Sequence, residues 1–126
     1  MKQEFITKAK QNLKAAELLF ENELYDASAN RAYYAALHAA VAALANIGIK
    51  ADDRISHETT QANFSGELIR RRKIYPGNLK SYLADLQRIR NDADYKLKFV
   101  SKKVALKQVK KAKEFVTKVL QEVEHV

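Results

Sequence analysis

Residues 32–45 constrain the fold more than any other part of the sequence. Thirteen of these fourteen residues are Ala, Leu, Val or Tyr, and eight of them are Ala. A helix that is apolar on nearly all sides is surrounded by protein, and small side chains let neighbouring helices approach closely. The segment therefore predicts a central, buried helix that runs to Asn46 and stops at Gly48, a residue suited to the left-handed position after a helix end.

One further helix is predicted before this central helix and one after it. Residues 2–23 carry apolar side chains at three- and four-residue spacing, and Asp26 or a neighbouring residue is a candidate N-cap for the central helix. Ser56 is a candidate N-cap for a third helix that runs to about Arg71, within which Gly66 lowers the helix propensity. The faces predicted to be buried are Ile6, Ala9, Leu13, Ala16 and Phe20 in the first helix, and Phe64, Leu68 and Ile69 in the third.

The last third of the chain predicts two more helices. Pro76-Gly77 is a strong turn signal, after which Asn78 is a candidate N-cap for the fourth helix. Ser101 is a candidate N-cap for the fifth helix, whose lysines lie opposite an apolar stripe. The faces predicted to be buried are Leu79, Leu83, Leu86, Ala93 and Leu97 in the fourth helix, and Val104, Val109, Ala112, Val116, Val119, Leu120 and Val123 in the fifth.

The organisation of the chain favours a single domain over residues 1–126. No segment shows the alternation typical of a strand, no internal repeat is visible, and no linker rich in Gly or Ser divides the sequence. With 126 residues and 47% apolar content, the chain is long enough to bury a core. We predict an all-α, up-and-down bundle of four main helices plus a fifth.

Composition excludes several classes of function. The absence of Cys rules out disulfides and thiolate metal sites. Gly-rich phosphate loops and the zinc-binding His-Glu-x-x-His pattern are missing, and three scattered histidines do not predict a metal site, so we expect neither metal nor cofactor. The first residues do not form a signal peptide, and the longest apolar run, residues 39–45, is too short to span a membrane. We expect a soluble, cytoplasmic protein without membrane association.

Positive charge is concentrated in two places. The chain carries a net charge of +8, and residues 96–118 contain nine Lys against one acid, Glu114. Residues 70–73, Arg-Arg-Arg-Lys, form a second basic cluster. This asymmetry favours an anionic partner such as RNA, a nucleotide or an acidic protein. A solvated lysine face on a terminal helix is the alternative.

Arg90 interrupts the apolar stripe of the fourth helix. It stands four residues after Leu86 and three before Ala93, so its side chain is expected to point toward the core. A guanidinium keeps its charge, and burying it without partners costs several kcal/mol. The guanidinium must therefore be accommodated by an acidic partner, by a cleft or by a bound anion. Asp94, one turn later, offers a purely structural salt bridge.

A polar strip follows the central helix. Ser28, Arg31, Tyr34 and His38 are spaced by three or four residues, so their side chains line one face of a buried element. Their partners must come from a neighbouring helix, a second subunit or a ligand. In the alternative interpretation, Arg31 and Tyr34 form hydrogen bonds within the core and His38 is a core histidine.

Three motifs together resemble the HEPN superfamily, in particular its branch of small, stand-alone, uncharacterised bacterial and archaeal proteins. They are residues 30–40 (Asn-Arg-Ala-Tyr-Tyr-Ala-Ala-Leu-His-Ala-Ala), Ser56-His57, and residues 90–95 (Arg-Asn-Asp-Ala-Asp-Tyr). The resemblance implies an all-helical bundle, often a homodimer. Many HEPN proteins are metal-independent ribonucleases, commonly toxins encoded beside a minimal nucleotidyltransferase antitoxin.

The resemblance also implies which residues form the site. The active-site motif of such ribonucleases is an Arg, usually followed by a polar residue, with a His after four to six intervening residues. Arg90 and Asn91 match its first half, whereas Tyr95 stands at the first of the positions expected for the His. An unperturbed tyrosine is a poor base at neutral pH, so Tyr95 is expected to donate a hydrogen bond or proton, unless His38 or His57 completes the site in space.

Three functional interpretations remain open at this point. The first is a HEPN module that binds a nucleotide or RNA phosphate at Arg90, with Arg31, Tyr34, His38 and Asp94 as further ligand-binding residues, and that works with a nucleotidyltransferase. The second is an active ribonuclease toxin with Arg90, Asn91 and Tyr95 as its catalytic residues. The third is a structural interaction domain without a ligand.

Overall fold

The computed structural model describes residues 2–50, 57–96 and 99–124. Over these residues the chain is helical and contains no strand, which confirms the predicted all-α, up-and-down bundle. The helices are α1 (Lys2–Glu21), α2 (Tyr25–Asn46), α3 (His57–Asn63), α4 (Asn78–Tyr95) and α5 (Lys102–Val123), and a π-helix, Phe64–Arg71, continues α3. The four long helices form the bundle, and α3 with the π-helix is the additional element.

Helix α2 is the central element, as its alanine-rich sequence predicts. It contacts every other helical element, and its closest neighbour is α1. Of the eight alanines in residues 32–45, all but Ala45 are buried. Since methyl side chains occupy little space, the surrounding helices approach the α2 backbone closely on all sides.

The predicted N-caps have mixed outcomes. Ser101 is a cap, because its Oγ accepts a hydrogen bond from the Val104 amide at 3.2 Å. The prediction for Asp26 is wrong: the residue lies inside the first turn of α2, and its Oδ1 accepts a hydrogen bond from the Val100 amide at 2.7 Å. This long-range bond ties the segment before α5 to the start of α2.

Asn78 is also wrongly predicted as an N-cap. It is the first residue of α4, and Gly77 occupies the cap position without a side-chain hydrogen bond. The backbone carbonyl of Asn78 instead accepts a hydrogen bond from Ser81 Oγ at 2.8 Å. Gly48 follows α2 with φ of +86°, in the left-handed conformation that the sequence predicts. The candidate N-cap Ser56, and Leu97 and His125, lie outside the described residues.

The third helix ends at Arg71 as predicted, but its second half has π-helical hydrogen bonding. The amide of Arg72, for example, donates to the carbonyl of Glu67, five residues earlier, at 3.1 Å. π-Helical segments are rare overall, and those that do occur are often located at functional sites. This one contributes Phe64 and Leu68 to the core, where the Phe64 ring stacks on Tyr75.

The apolar stripe of α4 is buried only in its first two thirds. Leu79, Leu83 and Leu86 are at most 1% exposed, whereas Ala93 is partly exposed. Arg90 therefore stands where the buried stripe gives way to partly exposed residues. In α5 the predicted stripe is buried except for the partly exposed Val104 and Leu120. Across the described residues, no helix is both long and apolar enough to cross a membrane.

Candidate functional site

Arg90 lies between α2 and α4, in a cluster of partly buried polar side chains that is called the cleft below. Its side chain is only 16% exposed. Nη2 donates a hydrogen bond to the Tyr34 hydroxyl at 2.9 Å, and Nη1 donates to Asn91 Oδ1 at 3.1 Å. These neutral groups orient the guanidinium without cancelling its charge.

Asp94 is the carboxylate nearest to Arg90. Its Oδ2 lies 2.9 Å from Arg90 Nε, but the N–H does not point at the oxygen, so Nε is a buried donor without a hydrogen bond. Asp94 also accepts hydrogen bonds from Asn30 Nδ2 at 3.0 and 3.3 Å. The expected ion pair thus exists, but it leaves part of the hydrogen-bonding capacity of Arg90 unused.

Arg31 is held by amides alone. Its Nε and Nη2 donate to Asn30 Oδ1 at 2.9 and 2.5 Å, and its Nη1 donates to Asn12 Oδ1 at 3.1 Å. It forms no ion pair with any of the residues that the structure describes. Within the described ranges, the charge of Arg31 is therefore not balanced by an acid, although its side chain is partly buried.

The two arginines converge on Tyr34. The guanidinium carbon of Arg31 lies 4.9 Å from the centre of the Tyr34 ring, and that of Arg90 lies 5.3 Å from it. Two guanidinium groups and the Asp94 carboxylate leave one net positive charge in the cluster. Positive charge in a partly buried setting interacts more strongly with an anion than the same charge on an open surface.

His38 lies on the Arg31 side of this cluster. Its Nδ1 is 3.1 Å from Asn12 Nδ2, and its ring is tilted against Phe5. Burial lowers the pKa of His38 to about 4, with further contributions from the charges of Lys8 and Arg31. At neutral pH, His38 is therefore an uncharged ring that accepts a hydrogen bond or packs against neighbouring groups.

His57 lies on the Arg90 side. Its ring stacks on the buried Tyr33, with ring centres 5.4 Å apart, and its Nδ1 is hydrogen-bonded to the Tyr33 hydroxyl. The His57 ring also meets the edge of Tyr34. Burial and the charge of Arg90 both lower the pKa of His57. A neutral imidazole is thus placed close enough to Arg90 to interact with it.

Tyr33 supports His57 from the core. Burial is the main cause that raises the pKa of Tyr33, and the neighbouring Tyr34 raises it further. Arg90 and Gln61 lower this pKa, but their effects are smaller. The Tyr33 hydroxyl consequently keeps its proton at neutral pH. It holds one ring nitrogen of His57, and among the described residues no hydrogen bond is seen to the other ring nitrogen.

Tyr95 lies at the open end of the cleft. Its side chain is 76% exposed, and the centre of its ring is 5.8 Å from the guanidinium carbon of Arg90. An exposed aromatic ring next to a positive charge can stack on the base of a bound nucleotide.

The structure brings most of the predicted site residues together. Arg31, Tyr34, Arg90, Asn91 and Asp94 are linked by direct contacts or through Asn30. Ser28, from the same polar strip, lies elsewhere: it is fully buried and donates to the Ala16 carbonyl at 2.7 Å. Among the described residues, no three His, Asp or Glu side chains are grouped so as to hold a metal ion.

Three residues of the site were not predicted from the sequence. Asn12 comes from α1, where nothing in the local pattern marks it. Asn30 and Tyr33 lie within the motif at residues 30–40, which was their only signal. His57 was considered only as a substitute for the missing histidine, and the structure places it beside Arg90.

Comparison with known proteins agrees with this architecture. The model of the HEPN domain family matches residues 3–124. A UPF0332 protein of Gloeobacter violaceus is 31% identical over 93 residues, which are 74% of this chain and 71% of that protein. The family match covers α1 to α5 and so includes both arginines and both tyrosines of the cleft. The chain therefore belongs to the HEPN domain family.

Proposed function

We propose that the cleft binds a phosphate group of a nucleotide or of RNA between Arg31 and Arg90. The observation that carries this proposal is the position of two guanidinium groups on one tyrosine ring, balanced by a single carboxylate. Planar guanidinium groups bind phosphate oxygens through paired hydrogen bonds. Membership of the HEPN family supports a role related to nucleotides or RNA.

Nε of Arg90 is the donor that a bound phosphate would use. It is buried and lies 2.9 Å from Asp94 Oδ2, but it makes no well-aligned hydrogen bond. A phosphate oxygen that displaces Asp94 from Arg90 would satisfy it. Asp94 would then hold Arg90 in position before the ligand arrives.

Arg90→Ala tests the binding site. We expect the affinity for a fluorescent adenine nucleotide to fall at least about tenfold, because a charge-assisted pair of hydrogen bonds is removed. Arg88→Ala is the matched control, since Arg88 belongs to the same helix but is 64% exposed and paired with Asp85. Equal affinity in wild type and Arg90→Ala, with both proteins folded, would refute the proposal.

The same variant separates binding from a purely structural role. If Arg90 only stabilises the fold through Asp94, the variant should lose stability, because an unpaired partly buried carboxylate remains, while ligand affinity stays unchanged. Thermal melts of wild type, Arg90→Ala and Arg90→Ala/Asp94→Asn distinguish these outcomes. A stability loss that the double variant recovers, without any change in ligand affinity, would favour the structural role.

We further propose that the protein acts as a homodimer and together with a minimal nucleotidyltransferase, in a pair of the toxin–antitoxin type. The support is the HEPN family together with the charge asymmetry of the chain. Co-expression with the product of an adjacent nucleotidyltransferase gene, followed by co-purification, tests the pairing. Separate elution of the two proteins would speak against it.

Ribonuclease activity is the second candidate, and the position of His57 favours it. Cleavage of RNA next to a 2′-hydroxyl requires a proton acceptor, a proton donor and stabilisation of the phosphorane charge. His57 has one ring nitrogen available for proton transfer, and Arg90 can stabilise the negative charge. Tyr95 can supply a proton or a hydrogen bond to the ligand.

His57→Gln tests this activity. In the presence of EDTA, the wild type should produce 2′,3′-cyclic phosphate ends, and the variant should be at least about a hundredfold slower because general acid–base catalysis is removed. His38→Gln is the control, because the charges that act on His38 are those of Lys8 and Arg31, whereas Arg90 acts on His57. Intact RNA with the wild-type protein across several substrates would argue against ribonuclease activity.

A further inference from the structure

A second basic groove lies between the π-helix and α4. It has a volume of about 240 Å³, and its polar lining consists of Gln61, Ser65, Arg70 and Lys80. Leu83 and Ala84 contribute apolar walls. Within the described part of the chain, no carboxylate lines this groove, whereas Asp94 lies within the Arg90 cleft.

Both cations of the groove lack acidic partners among the described residues. Arg70 and Lys80 form no ion pair there, although the neighbouring Arg71 is paired with Glu67 at 3.1 Å. The guanidinium of Arg70 folds back over Gly66, where a Cβ added to the glycine would lie 3.5 Å from Nη2. The charge of Arg70 is therefore held beside the groove.

Ser65 adds a hydroxyl that has no hydrogen-bond partner. The residue is only 6% exposed, and its Oγ is buried. Buried hydroxyls are normally satisfied, so an unsatisfied one needs an explanation. In the π-helix that contains Ser65, the backbone departs from the usual helical geometry. Such segments are frequent at ligand-binding and catalytic sites.

Gln61 connects this groove to the Arg90 cleft. It lines the groove, and it lies close enough to the Tyr33 hydroxyl to lower the pKa of Tyr33, while that hydroxyl in turn holds His57. The amide of Gln61 is further bonded to Gln87 of α4. Gln61, which is partly buried, and Tyr33, which belongs to the core, thus lie between the two basic sites.

We propose that the groove binds a second phosphate of the same ligand, so that the ligand is an RNA strand of several nucleotides and not a free mononucleotide. This inference rests on the proposed function of the Arg90 cleft. One phosphate occupies the cleft, and the strand passes Gln61 to place another phosphate between Arg70 and Lys80. Ser65 donates a hydrogen bond to that phosphate after its side chain rotates about χ1 toward the groove.

The test compares a fluorescent ten-nucleotide RNA with a fluorescent mononucleotide. Arg70→Ala/Lys80→Ala should weaken binding of the RNA about tenfold or more and leave binding of the mononucleotide unchanged. The salt dependence of RNA binding should also decrease, by about 0.7 in the slope for each phosphate that the variant no longer binds. The control, Arg72→Ala/Lys113→Ala, removes the same charge at exposed positions outside the groove.

The outcomes separate this inference from the function on which it rests. If both double variants weaken RNA binding equally, the proposal that the groove binds a phosphate is refuted, because the loss of affinity would then come from overall charge. Equal affinity of wild type for RNA and mononucleotide would overturn it as well. If Arg90→Ala leaves mononucleotide binding intact, the proposed function fails; if only the groove variant has no effect, the groove fails alone. Circular dichroism verifies that each variant is folded.

Discussion

Tyr34 is the residue on which the charged groups of the cleft converge. Its hydroxyl accepts a hydrogen bond from Arg90, and its ring lies beside the guanidinium groups of both arginines. Removing the ring would leave two like charges without the surface that orients them. The local sequence pattern predicts that Tyr34 and Arg31 share a face, but only the tertiary structure brings Arg90 to them.

His38 is expected to make stability dependent on pH. Its pKa in the folded protein is about 4, below the ordinary value of 6.5, so the folded state resists protonation. The contribution is fully present above about pH 6.5 and disappears as the pH falls toward 4. Between pH 7 and pH 5 the free energy of unfolding should fall by about 1 to 2 kcal/mol.

Urea unfolding of wild type and His38→Gln at the two pH values measures this effect. The variant should show the smaller difference between pH 7 and pH 5. His57→Gln is the comparison, because the pKa of His57 is also lowered and this residue contributes with the same sign. An identical pH dependence in wild type and His38→Gln would contradict the assignment to His38.

At the scale of the elements, periodicity and local capping predicted much of the fold. The apolar stripe of α4 follows from residue spacing within one helix, and Ser101 bonds an amide only three residues later. Both features could therefore be predicted from the local sequence pattern. The N-cap role predicted for Asp26 is wrong because its carboxylate binds the Val100 amide, which lies 74 residues further along the chain. The π-helix escaped prediction because hydrogen-bond register leaves little trace in the spacing of apolar residues.

The candidate site likewise contains residues that a local sequence pattern predicts and residues that only contacts between helices reveal. Arg90 could be singled out because a permanent charge in an apolar stripe breaks a local pattern. The amides of Asn12 and Asn30 could not, because both act through contacts between helices. His57 needed the packing of α3 against α2 before its proximity to Arg90 became apparent.

Gly66→Ala tests the backbone requirement of the π-helix. A Cβ at this position meets only Arg70 Nη2, at an ordinary contact distance of 3.5 Å. We expect the substitution to stabilise the protein by about 0.4 to 1 kcal/mol, because it restricts the unfolded chain. Thermal unfolding should show a correspondingly higher Tm. A lower Tm would mean that the π-helical backbone requires glycine there.

At the scale of the whole molecule, apolar side chains are exposed around the segment that leads into α5. Phe99 is 87% exposed, and Leu24 is 53% exposed. Together with Tyr25 and Val100 they line an open groove of about 410 Å³. We expect this surface to contribute to the proposed homodimer, because exposed apolar patches commonly mark association surfaces.

Phe99→Ser should therefore weaken dimerisation. Light scattering after gel filtration at micromolar concentration should show a dimer for the wild type and a larger monomer fraction for the variant. Leu106→Ser is the matched control, since Leu106 is 37% exposed on α5 and lies outside this groove. A monomeric wild type would contradict dimerisation itself, and an unchanged variant would place the interface elsewhere.

The buried alanines of α2 also limit how this chain can vary. A larger side chain at such a position has no space to enter, and overpacking costs about 1 to 3 kcal/mol. Replacement by glycine costs about 1 kcal/mol in helix propensity. In a saturation mutagenesis library, α2 should therefore accept few substitutions in either direction. The exposed lysines of α5 should tolerate many, so inherited diversity can alter the surface charge while the central helix stays nearly fixed.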